Sequence, residues 1–218
     1  MRSPVAIVLV LHGGKENSFD PVTRRNLAGL RMRPIAASLR GRGRRHGLLV
    51  ESVRYRYRGW NGEEASPVAD ARSALATARA AHGDVPVVLV GHSMGARTAL
   101  RIASDDSVTT VVGLAPWTPR GEPVDQTRGR SILLVQGDRD TVTPPTDSLR
   151  FAQRAAAAGA EVARVVVRGD AHPMLRRWPT WHRLTVDAVL AATGVKPLPP
   201  LLADAFARGR AGDFDVPV

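Results

Sequence analysis

Val87-Val88-Leu89-Val90-Gly91-His92-Ser93-Met94-Gly95-Ala96 runs an apolar, strand-like segment into a G-x-S-x-G pentapeptide and then into a helical pattern. Ala96, Ala99, Leu100 and Ala103 share one face of that helix. A strand passing straight into a helix must turn sharply at Ser93, so a strained backbone is expected there. Side chains at positions 91 and 95 would collide where strand and helix nearly touch, which calls for glycine at both. The turn presents the Ser93 hydroxyl above the C-terminal edge of a sheet. It also sets that hydroxyl near a helix N-terminus, whose unpaired N–H groups favour negative charge. Ser93 is therefore the candidate nucleophile. The pentapeptide alone is a weak signal, and the strand before it and the helix after it give it weight.

Outward from this stretch, apolar runs of strand length alternate with segments of helical periodicity, the signature of a parallel sheet covered on both faces. The runs are residues 5–11, 48–55, 85–90, 108–114, 131–135 and 161–167, which predict six strands. Helices are expected over about 23–39, 67–81, 94–104, 146–158 and 180–192. The segment 117–130, rich in Pro, Gly and charge, reads as a loop too short to form a separate lid. After Thr193, Lys196-Pro197-Leu198-Pro199-Pro200 cannot continue a helix. Residues 201–207 fit a short amphipathic one, and the ending 212–218 has no periodicity. The expected organisation is one α/β domain over 1–193 and a C-terminal appendage over 194–218 whose role the sequence leaves open.

A serine hydroxyl is a weak nucleophile near neutral pH until a base removes its proton, so a histidine must come from elsewhere in the chain. His46 and His82 fall at helix ends before strands, on the wrong edge of the sheet, and His182 lies in the final helix. His12 and His92 belong to loop motifs, where local support is expected of them. His172, in Arg168-Gly169-Asp170-Ala171-His172-Pro173, directly follows the last long strand and emerges at the same edge as Ser93. A carboxylate must orient the imidazole and stabilise its charged form. Leu133-Leu134-Val135-Gln136-Gly137-Asp138-Arg139-Asp140 offers two. Asp138 sits where it caps the turn through local backbone N–H groups, and Asp140 lies farther out, where the loop reaches the histidine.

Composition bounds the alternatives. The 218 residues suffice for one buried core, and 44% hydrophobic with 23% charged residues is a globular balance. No apolar run approaches the roughly 18 residues that span a bilayer. The N-terminus reads as a first strand rather than a secretory signal. Cysteine is absent, which removes disulfides and a thiol nucleophile and fits a cytoplasmic location. The net charge of +11 raises the question of nucleic acid, but the basic residues are almost all arginine and dispersed. The one dense patch, Arg40-Gly41-Arg42-Gly43-Arg44-Arg45, falls at an expected helix end, where cations complement the dipole. No specific nucleic-acid partner and no membrane is expected.

At this point the chain resembles the α/β-hydrolase superfamily over about residues 5–192, in the order Ser93, Asp140, His172. The resemblance implies an α/β-hydrolase fold. It also implies an oxyanion hole made by the Met94 N–H and one from His12-Gly13-Gly14-Lys15, with Gly14 the first choice and Gly13 the alternative. Larger members carry two further N-terminal strands and often a cap, both missing here, so a reduced six-stranded, mostly parallel sheet with an open, shallow pocket is expected. The size is similar to cap-less carboxylesterases and dienelactone hydrolases, although the best-known of the latter use a cysteine. Lys15, Asn17, Trp60 and Trp117, with Met174 and Trp178, are candidates for the pocket wall. The implied activity is hydrolysis of a small-molecule carboxylic ester through an acyl-enzyme, with no cofactor and no metal. A thioester or amide substrate is the same-class alternative. A non-catalytic small-ligand receptor on the same fold and an arginine-driven polyanion binder are the alternatives from other classes.

Overall fold

The computed structural model describes residues 3–23 and 26–218. In chain order the principal elements are β1 (Ala6–Leu11), α1 (Leu27–Gly43), β2 (Leu48–Ser52), α2 (Ser66–His82), β3 (Val87–His92), α3 (Met94–Arg101) and β4 (Val108–Leu114). They continue with β5 (Ser131–Gly137), α4 (Pro145–Ala157), β6 (Glu161–Val167), α5 (Trp178–Ala192), α6 (Pro200–Arg210) and β7 (Val216–Pro217). Among the described residues the strands form one sheet in the order β2-β1-β3-β4-β5-β6-β7, with each neighbouring pair parallel. The α/β-hydrolase fold expected from the sequence is the observed one.

Alternation along the strands divides the core. Ala6, Val8 and Val10 of β1 face one layer, where Met32, Ile35 and Leu39 of α1, Trp181 and Leu184 of α5, and Leu202 and Phe206 of α6 cover them. Ile7, Leu9 and Leu11 face the other, against Ala71 and Leu75 of α2, Leu100 of α3 and Phe151 of α4. Both faces of β1 and β3 are fully covered, which is why these strands read as unbroken apolar runs rather than as alternating ones.

The sheet has seven strands where six were expected. The seventh comes from the tail: β7 pairs with β6, where Arg168 N donates to Val218 O and Val218 N donates to Val166 O. Arg164, buried on β6, donates to the carbonyls of Phe214 and Pro145 and to Ser148 Oγ, and pairs with Asp215. A two-residue Val-Pro strand carries no periodicity, so only this side-chain anchor marks it. The second strand stops at Ser52 instead of 55, because the chain beyond it leaves the sheet and Tyr57 forms an antiparallel bridge with Pro21. The first helix begins at Leu27 on an Asn26 cap, and residues 24 and 25 of the expected span lie outside the described residues. Among the described residues, the segment between β4 and β5 contains one short 3-10 turn, Asp125–Thr127, and no cap.

β1 sends its crossover to β2 on one side, and the chain then returns to β3 on the other. This reversal opens a crevice at the C-terminal ends of β1 and β3. The His12–Lys15 loop and Ser93 both leave the sheet there.

Candidate active site

Ser93 stands between β3 and α3 with φ 55° and ψ −119°, the strained conformation expected of the turn. The two glycines around it are sterically required. A Cβ at Gly91 would lie 2.3 Å from the Gly95 carbonyl oxygen, and one at Gly95 would lie 2.4 Å from that of Leu11. Ser93 N–H donates to Leu114 O at 2.9 Å, which ties the turn to β4.

The loop after β1 lies against this turn. A Cβ on Gly13 would be 3.3 Å from Ser93 Cβ, and one on Gly14 would be 2.4 Å from Met94 Cε and 2.3 Å from Arg58 O. The Lys15 N–H is already given to Arg58 O at 2.8 Å, which leaves Gly13 and Gly14 as the loop's candidate oxyanion donors. Met94 opens α3, where first-turn N–H groups lack intrahelical acceptors. His12 bonds the Gly13 carbonyl from Nδ1 at 2.7 Å and packs against Tyr55 with the two rings tilted, a supporting position.

His172 and Asp140 meet on neighbouring loops. His172 Nδ1 lies 2.9 Å from Asp140 Oδ2, with His172 9% and Asp140 4% exposed. Asp140 also accepts from Gln136 Nε2 and the Thr143 hydroxyl, and from the backbone N–H groups of Val142 and Thr143. Burial opposes ionisation of this carboxyl. The hydrogen bonds from His172 and from Thr143 outweigh it and hold Asp140 below the usual carboxylate range. Thr143 Oγ1 is in addition 3.0 Å from His172 Nδ1, so it braces acid and histidine together.

The loops bearing these two residues are knitted to each other. Asp138 Oδ1 accepts from Gly169 N at 2.7 Å, and Arg139 N donates to Asp170 O. Asp138 thus does bond a backbone N–H, but that of the neighbouring loop rather than of its own turn. Asp170, buried, accepts from Arg177 N and Trp181 Nε1 and fixes the His172 loop to the start of α5. On the Ser93 side, His92 Nε2 donates to the His172 carbonyl at 3.1 Å. Burial, reinforced by the adjacent His172, pushes the His92 pKa down to about 3, so the ring is neutral. The loop of His172 is therefore tied to the residue next to Ser93. Ser93 Oγ makes no hydrogen bond among the described residues; such nucleophile–base contacts are often long without substrate and tighten in the complex.

An open cleft of about 580 Å³ is lined by residues of α3 and of the loop after β4, among them Arg97 and Trp117, whose backbone N–H groups both donate to the Ser93 carbonyl; Ser93 itself does not line it. Of the residues read as pocket candidates, Trp60, Trp117 and Asn17 line this cleft and Lys15 does not: its backbone pairs with Gly59. That pairing carries Trp60 into place, through Trp60 N donating to Lys15 O. Met174 is buried in the core and Trp178 is exposed at the start of α5, so neither joins the cleft. Arg97, Arg101, Thr143, Gln136 and Asp170 are the residues sequence reasoning passed over. Arg97 and Arg101 had a legible signal, since they lie one and two helical turns beyond Ser93.

Comparison with known proteins places this geometry in context. A model described as "Alpha/beta hydrolase family" matches residues 7–218. The chain is 31% identical over 112 residues to protein phosphatase methylesterase 1 of Bos taurus; these cover 50% of the chain and 26% of that protein. The match thus spans about a quarter of that relative's length. Similar solved structures include an alpha-beta serine hydrolase homologue from Coxiella burnetii, with TM-score 0.64 and 20% identity over 87% of both chains. Esterase 2 of Thermogutta terrifontis, phosphoramylated by tabun, has TM-score 0.67 and 19% identity over 91% of this chain and 86% of that one. A monoacylglycerol lipase of Paleococcus ferrophilus has TM-score 0.61 and 16% identity over 88% and 97%. At these identities the likeness is one of fold.

Proposed function

The chain belongs to the alpha/beta hydrolase family, and from that premise we propose that it is a serine hydrolase acting on a carboxylic ester of a small molecule. The reading rests above all on one observation. A serine at a strained strand-to-helix turn stands beside a loop that holds a histidine 2.9 Å from a buried, fully hydrogen-bonded aspartate.

In this reading Ser93 Oγ attacks the ester carbonyl while its proton passes to His172 Nε2. Asp140 holds Nδ1–H and stabilises the imidazolium. The N–H groups of Met94 and Gly14 stabilise the oxyanion, and loss of one such donor costs about a hundredfold to a thousandfold in rate. Collapse breaks the ester C–O bond, and the alcohol leaves with the proton from His172. Water then gives its proton to His172 as it adds to the acyl group, and release of the acid returns that proton to Ser93. The methylesterase named among the relatives supports a carboxylic ester as the bond cleaved.

The test is turnover of short-chain p-nitrophenyl esters by wild type and Ser93→Ala, with circular dichroism to show that the variant folds. Loss of turnover in folded Ser93→Ala is expected. Equal turnover in both proteins removes Ser93 from the mechanism.

A further inference from the structure

The cleft lined by Trp60, Arg97, Arg101 and Trp117 has an unusual wall. Arg97 N and Trp117 N both donate to the Ser93 carbonyl, at 3.2 and 3.3 Å, so each is hung from the candidate nucleophile itself. The Arg97 guanidinium carbon sits in the corner between two indoles, 3.9 Å from the ring centre of Trp60 and 4.4 Å from that of Trp117. The two rings meet edge to face. The two indole planes cross at 79°, so the guanidinium lies against both rings as a cation rather than stacking flat on the pair.

Glu122 completes the arrangement from behind. Its side chain is 1% exposed, and it accepts from Arg97 Nε at 2.7 Å and from Arg101 Nε. One buried carboxylate thus takes the Nε edges of two arginines, leaving a net positive charge. The forked Nη ends of both make no hydrogen bond among the described residues, and both side chains line the cleft. Two further carboxylates, Glu16 and Glu63, stand on the exposed rim of the cleft, and Glu16 acts on Arg97 from there, a pull that solvent and salt weaken. A guanidinium held at its Nε edge by Glu122, with free Nη donors between aromatic walls, matches a carboxylate on a short apolar stem.

We propose that the cleft selects esters in which one arm ends in a free carboxylate, bound by Arg97 and Arg101 while its methylenes lie on Trp60 and Trp117. This rests on the serine-hydrolase reading. Arg97 stands one helical turn beyond Ser93, and an arm of about four methylenes, comparable to the rise of that turn, is the length tested.

The experiment compares matched pairs by pH-stat: monoethyl adipate against ethyl hexanoate for the acyl arm, and 5-acetoxypentanoate against pentyl acetate for the alcohol arm. Each pair differs only by carboxylate in place of a terminal methyl. At least one charged ester is expected to exceed its partner tenfold or more in kcat/KM. That ratio should fall by roughly tenfold to a hundredfold in Arg97→Gln, the range for one charge-assisted hydrogen bond. Arg101→Gln, which leaves the Arg97–Glu122 pair intact, should lower it in the same direction and guards against misfolding of the first variant. Fluorophosphonate labelling of Ser93 runs alongside. Labelled enzyme that favours neither charged ester overturns this inference alone, whereas a folded protein with neither labelling nor turnover removes the serine-hydrolase reading as well.

Discussion

His92 and His172 are joined by a hydrogen bond from the His92 ring Nε2 to the His172 backbone carbonyl, 3.1 Å long, with their rings 4.9 Å apart. The residue preceding the candidate nucleophile thereby holds the loop of the candidate base. His92→Phe keeps an aromatic ring at this position and loses this tether, leaving a buried carbonyl unpaired. A net hydrogen bond of about 1 kcal/mol corresponds to a loss of roughly fivefold to tenfold in kcat, with KM little changed. Steady-state kinetics on a short ester check this, and an unchanged kcat would show that the tether positions nothing.

The same ring couples stability to pH. An unfolded histidine takes its proton near pH 6.5, whereas folded His92 resists until about 3, through burial first and His172 second. The unfolded state therefore binds more protons across this window. Stability is complete above pH 6.5 and is lost as pH falls toward 3, by up to about 1.4 kcal/mol per pH unit from this group. Asp140, held below the usual carboxylate range, adds a loss of the same sign below about pH 4. Urea unfolding at pH 7.5 and 5 should show a smaller acid loss for His92→Phe than for wild type; equal losses contradict this assignment.

Thr143 reaches Asp140 Oδ2 at 2.8 Å and His172 Nδ1 at 3.0 Å through one hydroxyl. Thr143→Val removes the hydroxyl at nearly constant volume, and Thr143→Ser restores it. The valine variant should lose about fivefold to thirtyfold in kcat, with the acid limb of its pH–rate profile displaced, and serine should recover most of both. A purely packing role would instead make the serine variant the worse of the two.

Much of this was legible in the sequence because each feature is local. The apolar run 87–90 followed by Gly91-His92-Ser93-Met94-Gly95 dictates strand, strained turn and helix by sterics alone, and the structure shows each of them. His172 and Asp140 were legible because both directly follow strands whose ends share one edge. Two features were not. β7 depends on the Arg164 clamp between distant segments. The Arg97–Glu122–Arg101 cluster joins α3 to a loop with no pattern of its own. Long-range pairing of polar groups leaves no periodic trace.

Glycine substitutions separate the turn from the scaffold. A Cβ at Gly91 would meet backbone atoms at 2.3 Å, while one at Gly41, near the C-terminal end of α1, meets nothing within 4 Å. Gly91→Ala should therefore destabilise by several kcal/mol, in the upper range for single substitutions. Gly41→Ala should stabilise by up to about 1 kcal/mol through helix propensity. Thermal unfolding of both variants reads the contrast, and a benign Gly91→Ala would refute the close strand–helix approach.

The whole account turns on the Ser93 hydroxyl acquiring nucleophilic reactivity from its neighbours. The direct measurement is peptide mapping by mass spectrometry after brief exposure to a fluorophosphonate at pH 7.5. A single adduct on the peptide containing Ser93, absent in folded Ser93→Ala and sharply slowed in His172→Ala, is the expected result. An unmodified Ser93 in folded wild-type protein, or equal labelling in His172→Ala, would contradict it.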